Sequence, residues 1–166
     1  MEKYAELPWL AGFWDGEGSV GLTKNKNTII LNAQMTHTDI ATSRYVLELL
    51  RNVGGRGYTY QERDPAKHRD AHCIRITGIS NVKTLALMLL PFAVTKRRHW
   101  EIAIEWADLR IAVAGGVDEK GHLFRGGLGA SRGYSDYEMG LFEEMRLLNR
   151  RGPEDRASIQ RGRIIL

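Results

Sequence analysis

The residues best suited to chemistry lie near the start of the chain, in Trp9-Leu10-Ala11-Gly12-Phe13-Trp14-Asp15-Gly16-Glu17-Gly18. Pro8 at a first-turn position and the apolar Trp9, Leu10, Phe13 and Trp14 predict a short helix, with Gly16 and Gly18 as stops. Ala11, Gly12 and Gly16 remove side chains from neighbouring positions, at a cost in helix stability, and so let another backbone approach closely. The helix delivers Asp15 and Glu17 at or just past its C-terminal end, where the helix dipole disfavours negative charge. Two carboxylates kept in such a place point to a use for them, and cation binding through carboxylate oxygens fits.

The elements that must position these residues follow from periodicity. Val20 and Leu22 share one face of a strand and Ser19, Thr23 and Asn25 the other, ahead of a polar turn at Lys24-Asn25-Lys26-Asn27. In the return strand Ile29, Leu31, Ala33 and Met35 alternate with Thr28, Ile30, Asn32, Gln34 and Thr36. Asp39 caps a helix carrying Ile40, Val46, Leu47, Leu50 and Val53, which Gly54-Gly55 ends. A second hairpin pairs Tyr58–Glu62 with Cys73–Thr77 across the charged loop Arg63–Asp70. Ser80 or Asn81 opens a helix over Val82–Leu90 that Pro91 stops. A longer helix from about Lys96 to Ala114 carries Trp100, Ala103, Ile104, Ala107 and Ile111 as its apolar stripe and closes at Gly115-Gly116. Beyond the glycine-rich loop Gly121–Gly133, Ser135-x-x-Glu138 reads as a capping box, opening a helix with Tyr137, Leu141, Met145 and Leu148 on one side and its end near Asn149. The order α-ββ-α-ββ-α-α-α predicts one α+β domain over residues 1–166, with a core at 1–94 and C-terminal helices and loop at 95–166.

A chain of 166 residues is long enough to bury a sizeable core. Its 24 Lys and Arg against 20 Asp and Glu leave a net charge of +4, which permits a nucleic-acid partner without requiring one. That excess is carried from Arg146 onward by Arg146, Arg150, Arg151, Arg156, Arg161 and Arg163 against Glu154 and Asp155. The single Cys73 excludes an internal disulfide framework and suits a reducing interior. The most apolar stretch, Leu85–Val94, is short and broken by Pro91, so no membrane span is expected; Met1–Leu7 does not read as a signal peptide. A soluble, intracellular protein of a prokaryotic cytoplasm or an organelle is the expectation. Zinc bound by His68, His72 and Cys73 is disfavoured, because the segment patterns as strand and turn and lacks a fourth ligand.

Leu10-Ala11-Gly12 and the Asp-Gly-acid-Gly ending at Asp15–Gly18 closely resemble the signature of the LAGLIDADG homing endonucleases. The resemblance implies an αββαββα fold with a four-stranded antiparallel saddle sheet, here followed by additional helices. One motif per chain implies a homodimer whose motif helices pack together through Leu10, Ala11, Gly12, Phe13 and Asp15. By the same resemblance Glu17 is the catalytic acid and metal ligand, and the Gly16 carbonyl supplies a second oxygen. Two or more Mg²⁺ (or Mn²⁺) ions are then shared across the dimer, relieving repulsion between two Glu17 side chains. Leu90-Pro91-Phe92-Ala93-Val94-Thr95-Lys96 is similar to the Pro-Phe-x-x-x-Lys segment of single-motif members, which places Lys96 beside the active site. His37 stands about where relatives carry a water-organising Gln, and the corresponding Arg position falls near Ala41 or Thr42, with Arg44 a turn later.

A two-stranded ribbon fits the DNA major groove, where Asn, Gln, Thr and Arg offer base-reading donors and acceptors. Alternation and the resemblance together assign Thr23, Asn25, Thr28, Asn32, Gln34, Thr36, Tyr58, Tyr60, Glu62 and Arg75 to that face, with Lys24, Lys26, Arg63, Lys67, Arg69 and the tail arginines on phosphates. The function implied is a sequence-specific, Mg²⁺-dependent double-strand DNA endonuclease, encoded by a mobile intron or intein and acting on a long pseudo-palindromic site. The alternative is an RNA maturase or DNA-binding regulator of the same fold without nuclease activity.

Overall fold

The computed structural model describes residues 6–52, 72–124 and 133–150 with their side chains, and residues 58–62 as backbone. The elements run α1 (Leu7–Glu17), β1 (Gly18–Asn25), β2 (Thr28–His37), α2 (Ile40–Asn52), β3 (Tyr58–Glu62), β4 (His72–Ile76), α3 (Ile79–Leu89), α4 (Arg97–Ala114) and α5 (Asp136–Leu148). This is the order expected from the sequence. The strands form one antiparallel sheet in the order β1-β2-β4-β3.

In α1, Leu7, Leu10, Ala11 and Trp14 recur at helical spacing and are buried, so this stripe seals the helix onto α3 and the β1–β2 hairpin. The last glycine of the motif has a steric reason: a Cβ at Gly18 would overlap the fully buried indole of Trp14. The hairpin turn is tighter than expected. Lys24 and Asn25 belong to β1, opposite Ile29 and Thr28, and only Lys26-Asn27 turn, with Lys26 at φ 53°.

Val20, Leu22, Ile29, Leu31, Ala33, Met35, Ile74 and Ile76 cover the inner face of the sheet and are buried beneath the helices. Asp39 caps α2 as expected, its carboxylate accepting the Thr42 N–H at 2.7 Å. The buried side of α2 is Ser43, Val46, Leu47, Leu49 and Leu50, while Ile40 in the first turn stays exposed. Val53 and Gly54-Gly55 lie outside the described residues. Neither Ser80 nor Asn81 opens α3. Gly78 precedes it, and Asn81 instead donates to the carbonyls of Thr77 at 2.7 Å and Lys120 at 2.8 Å, tying the helix to the following turn.

The apolar side of α4 is wider than one stripe: His99, Trp100, Ile102, Ala103, Trp106, Ala107, Arg110 and Ala114 are buried, because α3, α5 and the sheet all pack on this helix. Ile104 and Ile111 are only partly covered. Gly115 ends it in the left-handed conformation, φ 75°.

The Ser135–Glu138 capping box is present, but α5 turns Glu138, Leu141 and Met145 inward and leaves Tyr137 exposed, its phenol on Glu105. What rotates the helix is an ion pair. Arg110 donates to Glu138 Oε1 at 2.9 Å with both side chains nearly wholly buried, and its guanidinium lies over the Tyr134 ring. The Tyr134 hydroxyl accepts the Ile29 N–H at 2.7 Å, joining α4, α5 and β2 through one cluster. Burial opposes charge on Glu138, yet the Ser135 backbone N–H, Arg110 and the Ser135 hydroxyl outweigh it and hold the carboxyl below its ordinary value.

Two outcomes follow from these contacts. Gly18→Ala should lower unfolding free energy by about 1–3 kcal/mol through overpacking against Trp14, measured by urea titration. The Glu138 contribution is complete above its ordinary pKa of 4.5 and is lost as pH falls through the lower folded-state value. Wild-type melting temperature should therefore fall on acidification below that pH more steeply than that of Glu138→Gln, which should already be destabilised by about 3 kcal/mol at neutral pH.

Candidate nucleic-acid interface and catalytic end

The C-terminal turn of α1 is where the predicted reacting groups meet. Val94, Thr95 and Lys96, three consecutive residues just ahead of α4, point their backbone N–H groups at the carboxylate of Asp15, at 2.7, 2.9 and 3.0 Å. Successive amides form an anion-binding concavity, and this one lies at the positive end of α4, so the carboxylate is held by donors and dipole together. The Asp15 carbonyl accepts from the Thr95 hydroxyl at 3.4 Å and from the Lys96 ammonium. Lys96 and Glu17 are thereby attached to the same end of one helix, although 79 positions separate them in the chain.

Glu17 itself is exposed and has no hydrogen bond or ion pair among the described residues. Among the described residues nothing outside the helix's own backbone stands within 4 Å of where a Gly16 Cβ would be, so this position of the motif faces open space. No group of three or more His, Cys, Asp or Glu side chains able to hold a metal occurs among the described residues. His72 and Cys73 are consecutive strand residues on opposite faces of the sheet; His68 lies outside the described residues.

His37 ends β2 with its ring 5.5 Å from Phe13, one helical turn before Glu17, and its Nδ1 accepts the Asp39 N–H at 3.1 Å. Phe13 stacks on Trp9 at 5.0 Å, and Trp9 meets the edge of Tyr45 at 5.1 Å. The side of α1 turned away from the core is thus Trp9, Gly12 and Gly16, with Phe13 partly buried at its border. Leu10 and Ala11, assigned by resemblance to a contact between chains, are fully buried in the core of their own chain. Asp15 is likewise committed to the 94–96 turn.

None of the described helices packs on the outer face of the sheet. Thr23, Asn25, Thr28, Thr36 and Arg75 are exposed there and Asn32 and Gln34 half-buried, with Asn32 donating to the Thr23 hydroxyl at 2.9 Å and Arg75 to the Gln34 amide oxygen at 3.2 Å. The register corrects three assignments. Tyr58, Tyr60 and Glu62 pair with Ile76, Ile74 and His72, all buried, so they occupy positions on the inner face, whereas Thr59 and Gln61 stand opposite Arg75 and Cys73 on the outer one. Ser19 and Ile30 lie on the outer face as well, where alternation places them. Strand alternation offered two phases for β3, and only pairing with β4 selects between them.

Lys24 and Lys26 are exposed at the tip of the first hairpin. Along the free edge of β1 a groove of about 380 Å³ is lined by Ser19, Thr23 and Asn32 from the sheet and Arg146, Asn149 and Arg150 from the end of α5. Asn149 fixes this arrangement by donating to the Val20 carbonyl at 2.9 Å. Arg63, Lys67, Arg69 and the arginines after Arg150 lie outside the described residues. Among the described residues, no helix is long and apolar enough to cross a membrane.

An αββαββα unit with one acidic-ended motif helix and a sheet face left open by the described helices defines a LAGLIDADG-type fold. The family model of the LAGLIDADG-like domain matches residues 5–89, just over half of the chain, which therefore belongs to the LAGLIDADG-like domain family. Among solved structures, the homing endonuclease I-CvuI in complex with its target is similar at TM-score 0.61 and 13% identity, covering 98% of both chains. The homing endonuclease I-TnaI is similar at TM-score 0.55 and 20% identity, over 95% of this chain and 97% of that one. The intron-encoded I-CeuI complexed with DNA reaches TM-score 0.55 at 14% identity, over 93% of this chain and 69% of that one. At these identities the likeness is one of fold. No curated protein matches the chain.

Proposed function

We propose that the protein is a sequence-specific, double-strand DNA endonuclease that acts as a homodimer on a long pseudo-palindromic site and requires Mg²⁺ or Mn²⁺. The observation that carries the reading is the convergence at the end of α1: an exposed Glu17 with no partner among the described residues and a Lys96 bound to the same helix end, beside a polar sheet face that none of the described helices covers. The related structures named above include enzymes bound to DNA, and one complex of I-CvuI with DNA formed in the presence of Mg left the DNA uncleaved.

The donor set suits a hard cation. The Glu17 carboxylate and the Gly16 carbonyl would hold such an ion at an open position, and the described residues of one chain offer too few oxygens to hold it alone. A second copy brought by twofold symmetry, together with phosphate oxygens, would complete the set, and divalent cations held there would offset repulsion between the two Glu17 side chains. A divalent ion bound there supplies Lewis-acid polarisation of the phosphate and activation of water. Lys96 contributes a fixed positive charge for the transferring phosphoryl group, and His37, its Nδ1 occupied by Asp39, orients water through the other ring nitrogen.

Binding divides between the two surfaces. Thr23, Asn25, Thr28, Asn32, Gln34, Thr36 and Arg75, extended by Thr59 and Gln61, read base edges, while Lys24, Lys26, Arg146 and Arg150 hold phosphates. The two chains meet through Gly12, Gly16, Phe13 and Trp9, where the glycines let the helices approach. An intracellular mobile intron or intein remains the host element that the family implies.

Glu17→Gln should bind duplex DNA in Ca²⁺ as wild type does and lose cleavage in Mg²⁺, assayed on a randomised plasmid library; cleavage retained by this variant would sink the assignment. Lys96→Ala should slow cutting by about 10²-fold with little change in binding. A protein that enriches DNA without cutting it, or prefers structured RNA, would mark a regulator or a maturase instead. A Cβ at the exposed Gly12 would meet nothing within 4 Å among the described residues, so Gly12→Leu should fold yet sediment as a monomer in analytical ultracentrifugation.

A further inference from the structure

We infer that Asp15, the first acid of the motif, is a positioning residue for phosphodiester cleavage that acts through Lys96, an inference that rests on the nuclease reading above. Its two functional groups take hold of the same short segment in different ways. The carboxylate gathers the N–H groups of Val94, Thr95 and Lys96, fixing the main chain from which the lysine springs. The backbone carbonyl then receives the Lys96 ammonium itself, with the Thr95 hydroxyl beside it. An unbranched lysine has four rotatable side-chain bonds and ordinarily spreads its charge over many positions. Here both ends of that side chain are tied to one residue, and Glu17 lies two residues further along the same helix.

Chain packing alone does not call for this arrangement. α3 and α4 already pack on one another, and the 94–96 turn is largely exposed, with Val94 at 80%. An Asn at position 15 would leave the helices in contact and keep one acceptor oxygen, but its NH2 would oppose the amides that the other carboxylate oxygen now receives, loosening the segment that carries the lysine. The side chain of Asp15 does not reach substrate in this account. It determines where the ammonium stands relative to the Glu17 carboxylate, and a displacement of the order of 1 Å costs about 10²-fold in rate.

The experiment measures single-turnover cleavage of a selected duplex in Mg²⁺ and, separately, DNA affinity in Ca²⁺, for wild type, Asp15→Asn, Lys96→Ala and the double variant, with melting curves for each. The expected result is an Asp15→Asn protein that binds DNA within a few-fold of wild type, cuts about 10²-fold more slowly, and loses nothing further when Lys96→Ala is added. Full cleavage by Asp15→Asn, or losses that multiply in the double variant, would overturn the positioning role while leaving the nuclease intact. A wild type that cuts no duplex would remove the nuclease reading and this role with it. Should Asp15→Asn fail to fold, Lys96→Arg decides: the charge is kept but the geometry of the carbonyl contact is not, so slow cleavage supports the inference and wild-type cleavage refutes it.

Discussion

One carboxylate in a cradle of three consecutive amides holds the candidate catalytic end together. Asp15 lies at the negative end of α1 and would be unfavourable there if that dipole were its only neighbour. The turn before α4 reverses the balance, because its N–H groups and the positive end of that helix surround the same oxygens. The contact joins the first element of the chain to the eighth and brings a lysine to a helix whose own sequence is rich in apolar and small residues. The two acids of the motif therefore do different work: Asp15 is spent inside the chain, and Glu17 is left open to whatever approaches.

Around that joint the structure separates burial from recognition by parity. Alternate residues of β1, β2 and β4 form the core with α1 through α4, and the intervening ones make a polar surface that the described helices leave uncovered. The same principle divides α1, where Leu7, Leu10, Ala11 and Trp14 are consumed by the core while Trp9, Gly12 and Gly16 remain on the surface, with Phe13 partly buried at its border. The C-terminal helices extend this plan. The buried Arg110–Glu138 pair fixes α5 against α4, and Asn149 then sets the end of α5 on the edge of β1, bringing Arg146 and Arg150 to the rim of the polar face. A buried ion pair is a costly fastening, and here it also specifies the rotation of a helix whose apolar stripe is short.

The motif helix, the first hairpin with both of its faces, the Asp39 cap, the Ser135–Glu138 capping box and the order of the elements were all legible in the sequence. Each depends on residues close in the chain: a periodicity of two or of 3.6, a cap and its N–H, a glycine at a turn. The acidic end of α1 was legible for the same reason. The sequence marked Asp15 and Glu17 as a pair needing a use, and it placed Lys96 in a recognisable segment.

What distance along the chain conceals, only the tertiary structure decided. The phase of β3 depends on its pairing with β4, so a strand alternating Tyr, Thr, Tyr, Gln and Glu reads equally well either way until a partner selects one face. The breadth of the buried side of α4 comes from being packed by several elements at once, which no single stripe records. Asp15 and Lys96 were each conspicuous alone, but that one holds the other is a long-range hydrogen-bonding fact, invisible to local pattern. The sequence by itself determined the elements and the chemical groups available, since those follow from short-range sterics and periodicity. The fold decided which of the groups are consumed in holding the chain together and which are left to act, because that division is made by contacts between residues far apart.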